Sequence, residues 1–168
     1  MTRKIILLGF LLITVYFFYS PATIVLAENE TLKSINVRPN QTFKLKDISE
    51  LKNSQNRSVY IVLNHEDRKN LTTTIPKWKV LKSDNATVIN DLLNCEFKYT
   101  GSDVATVQSK MYIYSNNKLI FESEISLGTQ ALGLQNSTTG WATPVKSEYF
   151  LNIINQFDRY NLPILIIN

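Results

Sequence analysis

Only one cysteine, one histidine and five glycines occur among the 168 residues. Each scarcity removes a class of chemistry. A single thiol, Cys95, cannot close an intramolecular disulfide, so no cross-linked framework holds the chain. One His and one Cys cannot supply the four donors of a closed zinc site. The five glycines form neither a G-x-x-x-x-G-K-[ST] loop nor a dinucleotide fingerprint, which removes the usual backbone cradles for phosphate. No serine stands in a G-x-S-x-G context, so the sharp strand-to-helix nucleophile turn is missing. An excess of one charge is missing too. The chain carries 18 Lys+Arg against 14 Asp+Glu, too close to balance for a strong nucleic-acid footprint.

What is present is unevenly placed. Residues 1–27 hold 19 apolar residues, with Arg3 and Lys4 as their only charges. A positive start, an apolar run over 5–18, Pro21, and Val25 and Ala27 three and one positions before a cut ahead of Glu28 match a secretory signal peptide. The competing reading is an uncleaved anchor, because 5–27 is a largely apolar stretch of membrane-spanning length. No cysteine lies near this leader, which excludes lipid attachment to an N-terminal thiol. Without the leader, 168 − 27 = 141 residues remain, of which 55, about 39%, are apolar, and the net charge falls from +4 to 16 − 14 = +2. Such a chain suits one small domain with an adequate core. The expected organisation is a signal peptide or uncleaved anchor over 1–27 and a single domain over 28–168, loosely ordered over 28–58. The +2 divides into +5 over 28–82 (11 basic, 6 acidic) and −3 over 83–168 (5 basic, 8 acidic).

Periodicity orders the domain. Residues 42–46 alternate as a short strand, and Asp47 caps a helical turn over 48–52. The β-branched run 59–63 reads as a buried strand, 65–74 as a loop, and 75–81 as an edge strand in which Pro76 is tolerable. Ser83 or Asp84 opens a helix whose Val88, Ile89, Leu92 and Leu93 fall on one face, ending near 94–96. Residues 97–103 read as a loop. Asn116-Asn117 joins two β runs, 110–115 and 118–127, as a two-residue hairpin turn requires. Leu119, Phe121, Ile125 and Leu127 alternate with Glu122, Glu124 and Ser126. A third strand follows over 131–135 and a turn over 136–140. Thr143-Pro144 then reads as a helix cap and first turn, with Val145, Tyr149, Ile153 and Phe157 striping a helix to about 158. Residues 164–167 form a terminal strand. This order predicts an α+β fold: a largely antiparallel sheet, including a three-strand meander, with two main helices packed on it.

The helix over 85–94, the Tyr-rich hairpin and the closing helix over 147–154 resemble, in that order, small exported α+β modules of Gram-positive bacteria, many of them lipoproteins. The resemblance covers about residues 75–158. It implies architecture and a location outside the cytoplasm, and it supplies no site residues. The chain departs from the lipoprotein members in having no lipidation cysteine.

Candidate chemistry is sparse. Cys95 and His65 are the only thiol and imidazole, but Cys95 ends an apolar stripe and His65 sits in a charged stretch. A packed thiol and a solvated imidazole suit those places better than a nucleophile and its base. Glu66-Asp67 and Glu122-x-Glu124 are the nearest acidic pairs, and a solvated face accounts for them without a cation. Neither a metal nor another cofactor is therefore expected. Aromatic residues are the remaining resource. Tyr112 and Tyr114 share one hairpin face, Trp78 lies between Lys77 and Lys79, and Trp141 follows a turn. An exposed Tyr pair would stack on sugar rings or anchor a protein. The favoured alternative places both tyrosines in the core beneath the helices. Lys77, Lys79 and Lys82 around Trp78 suit either an anionic partner or the guarding of a sheet edge.

These readings favour a non-catalytic binding or interaction protein, exported to the bacterial cell envelope or the medium. Tyr112, Tyr114, Trp78 and Trp141 are its candidate contacts. Its expected partner is a protein or cell-wall polymer and not a nucleic acid, with membrane contact only through an uncleaved leader. A secreted inhibitor or immunity-type protein is the alternative, and a hydrolase of unrecognised type is the third reading.

Overall fold

The computed structural model describes residues 2–26, 40–71, 74–101, 108–128, 131–136 and 140–168. Residues 2–26 contribute helix α1 (Thr2–Tyr19) and, unexpectedly, strand β1 (Ala22–Val25). Strand β2 (Thr42–Lys44) runs into a 3-10 turn, Leu45–Asp47, and the short helix α2 (Ser49–Lys52). Asp47 closes the 3-10 turn by accepting from the Lys44 backbone N–H at 3.0 Å. Of the segment 28–58, expected to be loosely ordered, residues 40–58 carry these short elements, and 28–39 lie outside the described residues.

Strand β3 (Arg57–Val62) is followed by helix α3 (His65–Lys69), where a loop is expected. Local chemistry explains the difference. The Asn64 side chain caps the helix by accepting from the Glu66 N–H at 3.1 Å, with acids in its first turn and bases in its last. Strand β4 covers Val80–Ser83, so Trp78 lies before the strand and not within it. Helix α4 (Ala86–Asn94) buries Val88, Ile89, Leu92 and Leu93 as its stripe predicts, but Asn85 caps it, accepting from the Thr87 and Val88 N–H groups. Strand β5 (Glu96–Tyr99) replaces an expected loop, with Phe97 buried between exposed Glu96 and Lys98.

Strands β6 (Lys110–Ser115) and β7 (Lys118–Leu127) form the expected hairpin. Asn116 and Asn117 take φ values of 50° and 64°, the left-handed pair that a twisted two-residue turn needs. Strands β8 (Leu132–Asn136) and β9 (Gly140–Pro144) complete the meander. Pro144 belongs to β9, paired with Phe97, and does not open a helix. Helix α5 starts at Ser147 and ends at Ile154. Strands β10 (Asp158–Arg159) and β11 (Ile164–Ile167) follow.

Nine strands form one antiparallel sheet in the order β10-β4-β3-β6-β7-β8-β9-β5-β2, and β1 pairs in parallel with β11 in a separate two-stranded sheet. The fold is thus α+β with a mostly antiparallel sheet, as expected. Strand β4 and strand β5 lie six positions apart, about 29 Å if the sheet were flat at ~4.8 Å per strand. The nine-residue α4 joins them, and it touches both β3 and the 3-10 turn that follows the opposite edge strand. A helix about 13.5 Å long reaches both only if the sheet wraps around it.

Wrapping gives the sheet two different faces. The inner face holds one continuous core in which Val59, Ile61, Met111, Ile113, Phe121, Ile125 and Phe97 meet Leu51, Leu92, Phe150 and Ile154 of the helices. Each large apolar side chain fully buried there contributes about 1.5–3 kcal/mol. The outer face carries a second cluster of Val80, Tyr112, Tyr114, Leu119, Tyr160, Leu165 and Ile167. Leu119 sits there, away from Phe121, because the β6–β7 register slips between Ile113 and Tyr114. The pairings Ile113 with Phe121 and Tyr114 with Leu119 leave Ile120 as an extra residue, which turns the strand over.

Candidate functional site

The sequence singles out four aromatics, and the fold separates them. Tyr112 and Tyr114 are in the core, 2% and 6% exposed. Their cover is strand β11 rather than the helices. Leu165 and Ile167 pack over them, and the Tyr114 hydroxyl accepts from the Asn168 N–H at 3.3 Å. Tyr60 meets the Tyr114 ring edge-on at 5.7 Å. Burial pushes the Tyr114 hydroxyl pKa upward, as expected of a phenol removed from water. Trp141 is 4% exposed, and its ring lies across Gly133, where a Cβ would stand 2.9 Å from the indole. None of these three rings is presented to a ligand.

Trp78 is the exception, 37% exposed. It does not stand alone on a strand edge. The Arg159 guanidinium lies 4.5 Å from its ring centroid and 4.4 Å from that of Tyr19, between the two. Lys79 donates to the Pro21 carbonyl at 2.6 Å. Trp78 therefore belongs to the junction between the N-terminal segment 2–26 and the rest of the fold.

Cys95 lies 1% exposed at the end of α4. Burial drives its thiol up to about 11, so it is a packed neutral group and not an activated nucleophile. His65 is exposed, with its Nδ1 3.5 Å from an Arg68 nitrogen. Ser109 is fully buried; its hydroxyl accepts from the Asn64 N–H at 2.9 Å and donates to the Asp67 carboxylate, which ties α3 to the sheet. Lys110 pairs with Glu122 at 2.7 Å across the hairpin. Among the described residues no three His, Cys, Asp or Glu side chains gather as a metal site would require.

The structure draws attention to a different place. A cleft of about 250 Å³ opens where β2, the end of α4, β5 and the start of α5 meet, lined by Lys44, Asn94, Cys95, Glu96, Lys146 and Tyr149. A shallower hollow continues along α5 past Ser147, Glu148 and Asn152. Tyr149 is 43% exposed despite its place in the apolar stripe of the helix. Its hydroxyl is held above its ordinary pKa by desolvation and by the neighbouring Asp91 carboxylate and Cys95, and Asp91 hydrogen-bonds it. An exposed ring thus stands in a cleft that two lysines, an amide and a carboxylate also line. Such a set can stack on an apolar sugar face while bonding hydroxyl and acid groups at its rim.

Sequence reasoning missed this cleft because its residues come from positions 44, 94–96 and 146–149, which no local pattern connects. The stripe Val145, Tyr149, Ile153 and Phe157 gave no warning: Val145 precedes α5 and is 49% exposed, and Tyr149, inside the helix and four residues from buried Ile153, is 43% exposed.

Among the described residues no helix is long and apolar enough to cross a membrane. Comparison of the chain with protein-family models, with curated proteins and with solved structures finds no match.

Proposed function

We propose that the protein is an exported, non-catalytic binding module that captures an acid-bearing polysaccharide segment of the cell envelope in the Lys44–Tyr149–Lys146 cleft. The observation that carries this reading is the half-exposed Tyr149 ring in a concave site that Lys44 and Lys146 also line. The ring offers a stacking platform for a sugar, and Lys44 and Lys146 offer charge to its carboxylate or phosphate groups. Export rests on the leader of the sequence. The lack of catalysis rests on chemistry in place: the one thiol is buried with a raised pKa, and the one imidazole lies on the exposed surface beside Arg68.

Equilibrium binding of the full chain to purified acidic envelope polysaccharide tests the reading. Tyr149→Ala should weaken binding at least tenfold, the loss expected when one stacking aromatic worth about 1.5 kcal/mol is removed. Trp78→Ala, far from the cleft in the chain and at the leader junction, should leave affinity unchanged. Equal affinity for wild type and Tyr149→Ala would remove the cleft from the account.

A further inference from the structure

The segment that the sequence marks for removal is built into the fold. Residues 22–25 pair one-to-one with 164–167, Ala22 with Ile164 through Val25 with Ile167. Further backbone bonds close both ends of the pair, from Ala22 N–H to the Pro163 carbonyl at 2.9 Å and from Leu26 N–H to the Ile167 carbonyl at 2.8 Å. Pro21 is buried, and its carbonyl accepts from Lys79. Arg159 donates to the Phe18 carbonyl while lying between Tyr19 and Trp78. Cleavage after Ala27 would remove all of these contacts. It would also turn β11, the strand that covers Tyr112 and Tyr114, into a bare edge with its hydrogen-bonding groups unpaired.

The outward surface of this region is apolar. On the two-stranded sheet, Ile24 and its register partner Ile166 are 44% and 51% exposed, with Ile164 at 49% and Leu162 at 54%. A sheet that faced water would alternate to polar residues there. The patch continues into α1, where Ile6, Leu8, Phe10, Leu12 and Tyr16 are all more than half exposed, on every side of the helix. Where α1 meets the domain, Tyr19 and Trp78 gather with Arg159, and exposed Lys77 precedes Trp78 in the chain. Amphipathic aromatics edged by cations are the residues that settle at the boundary between acyl chains and anionic headgroups.

We infer that the leader is retained, with α1 immersed in lipid and β1 a permanent strand that holds the outer face of the β1–β11 pair against the membrane surface. The occupant of the apolar surface is therefore lipid. The apolar run over 5–18 would extend about 21 Å as a helix, short of the ~30 Å hydrocarbon core, so immersion and not spanning is what the geometry needs. The inference rests on the proposed export of the chain and deepens it: the binding cleft would be held at the membrane surface, not released.

Intact mass of the full chain from fractionated cells, combined with alkaline carbonate washing and protease added outside intact cells, tests this. The expected result is a chain still carrying residues 20–26, in the carbonate-resistant membrane pellet and digested by the external protease. A chain beginning at Glu28 would overturn retention and leave the export reading intact. A chain that keeps the leader but is released by carbonate would overturn immersion in lipid. A chain that keeps the leader but is protected from external protease would overturn export and this inference together.

Discussion

Gly133 is the residue whose substitution the geometry penalises most directly. A Cβ there would collide with the Ala142 carbonyl and stand 2.9 Å from the Trp141 ring, whereas a Cβ on Gly128 would meet nothing closer than 3.6 Å. Gly133→Ala should therefore lower stability by about 1–3 kcal/mol in urea unfolding, the cost of overpacking a filled site. Gly128→Ala should change it by less than about 0.5 kcal/mol, as a substitution without a clash does. Cys95 gives a second residue-level outcome. With its thiol buried and raised to about 11, labelling by a thiol reagent at pH 8 should be slow in the folded chain and fast in urea. Rapid labelling of the folded chain would contradict that placement. The sequence made this thiol legible, because Cys95 closes the stripe of Val88, Ile89, Leu92 and Leu93 that the helix buries. It left the environment of Gly133 hidden, because Trp141 reaches that position only through the pairing of β8 with β9.

At the scale of elements, β11 matters beyond its four residues. It covers the tyrosine face of the sheet, and its own free edge is covered by β1. Ile167→Asp would place a charge in a fully buried apolar site, so the variant should lose several kcal/mol of stability and expose the cluster around Tyr112 to an apolar dye. Tyr114→Phe removes only the hydrogen bond from Asn168 and should cost about 0.5–1.5 kcal/mol. The hairpin, the stripe of α4 and the terminal strand were readable because each is set by local periodicity or by a turn that needs left-handed residues. Two elements were misread for reasons that are not local. Pro144 looks like the first residue of a helix, but its pairing with Phe97 keeps it in a strand. Leu119 and Phe121 have the spacing of one face, and one extra residue between them puts them on opposite faces. The strand over 22–25 was not legible either, because its partner, 164–167, is distant in the chain.

For the molecule as a whole, the buried acids of the neutral state set the response to alkali. Cys95 is raised from 9.0 to about 11, and the Tyr114 and Tyr160 hydroxyls are raised by burial. Each of these groups binds its proton more tightly folded than unfolded. Their contribution is complete below the unfolded pKa and is lost as pH climbs through the folded one. The urea midpoint should therefore fall between pH 9 and pH 11, and Cys95→Ala should fall less steeply over that interval. The same scale holds the functional claim, since Lys44, Tyr149 and Lys146 meet only when the sheet wraps around α4 and α5 and brings β2 beside the start of α5. The most direct test is the affinity of the full chain for acidic envelope polysaccharide at two salt concentrations, set against that of the Lys44→Gln/Lys146→Gln variant. The account predicts that wild type binds at least tenfold more tightly at low salt and that the gap narrows as salt screens the two ammonium groups. Equal affinities at both salt concentrations would contradict it.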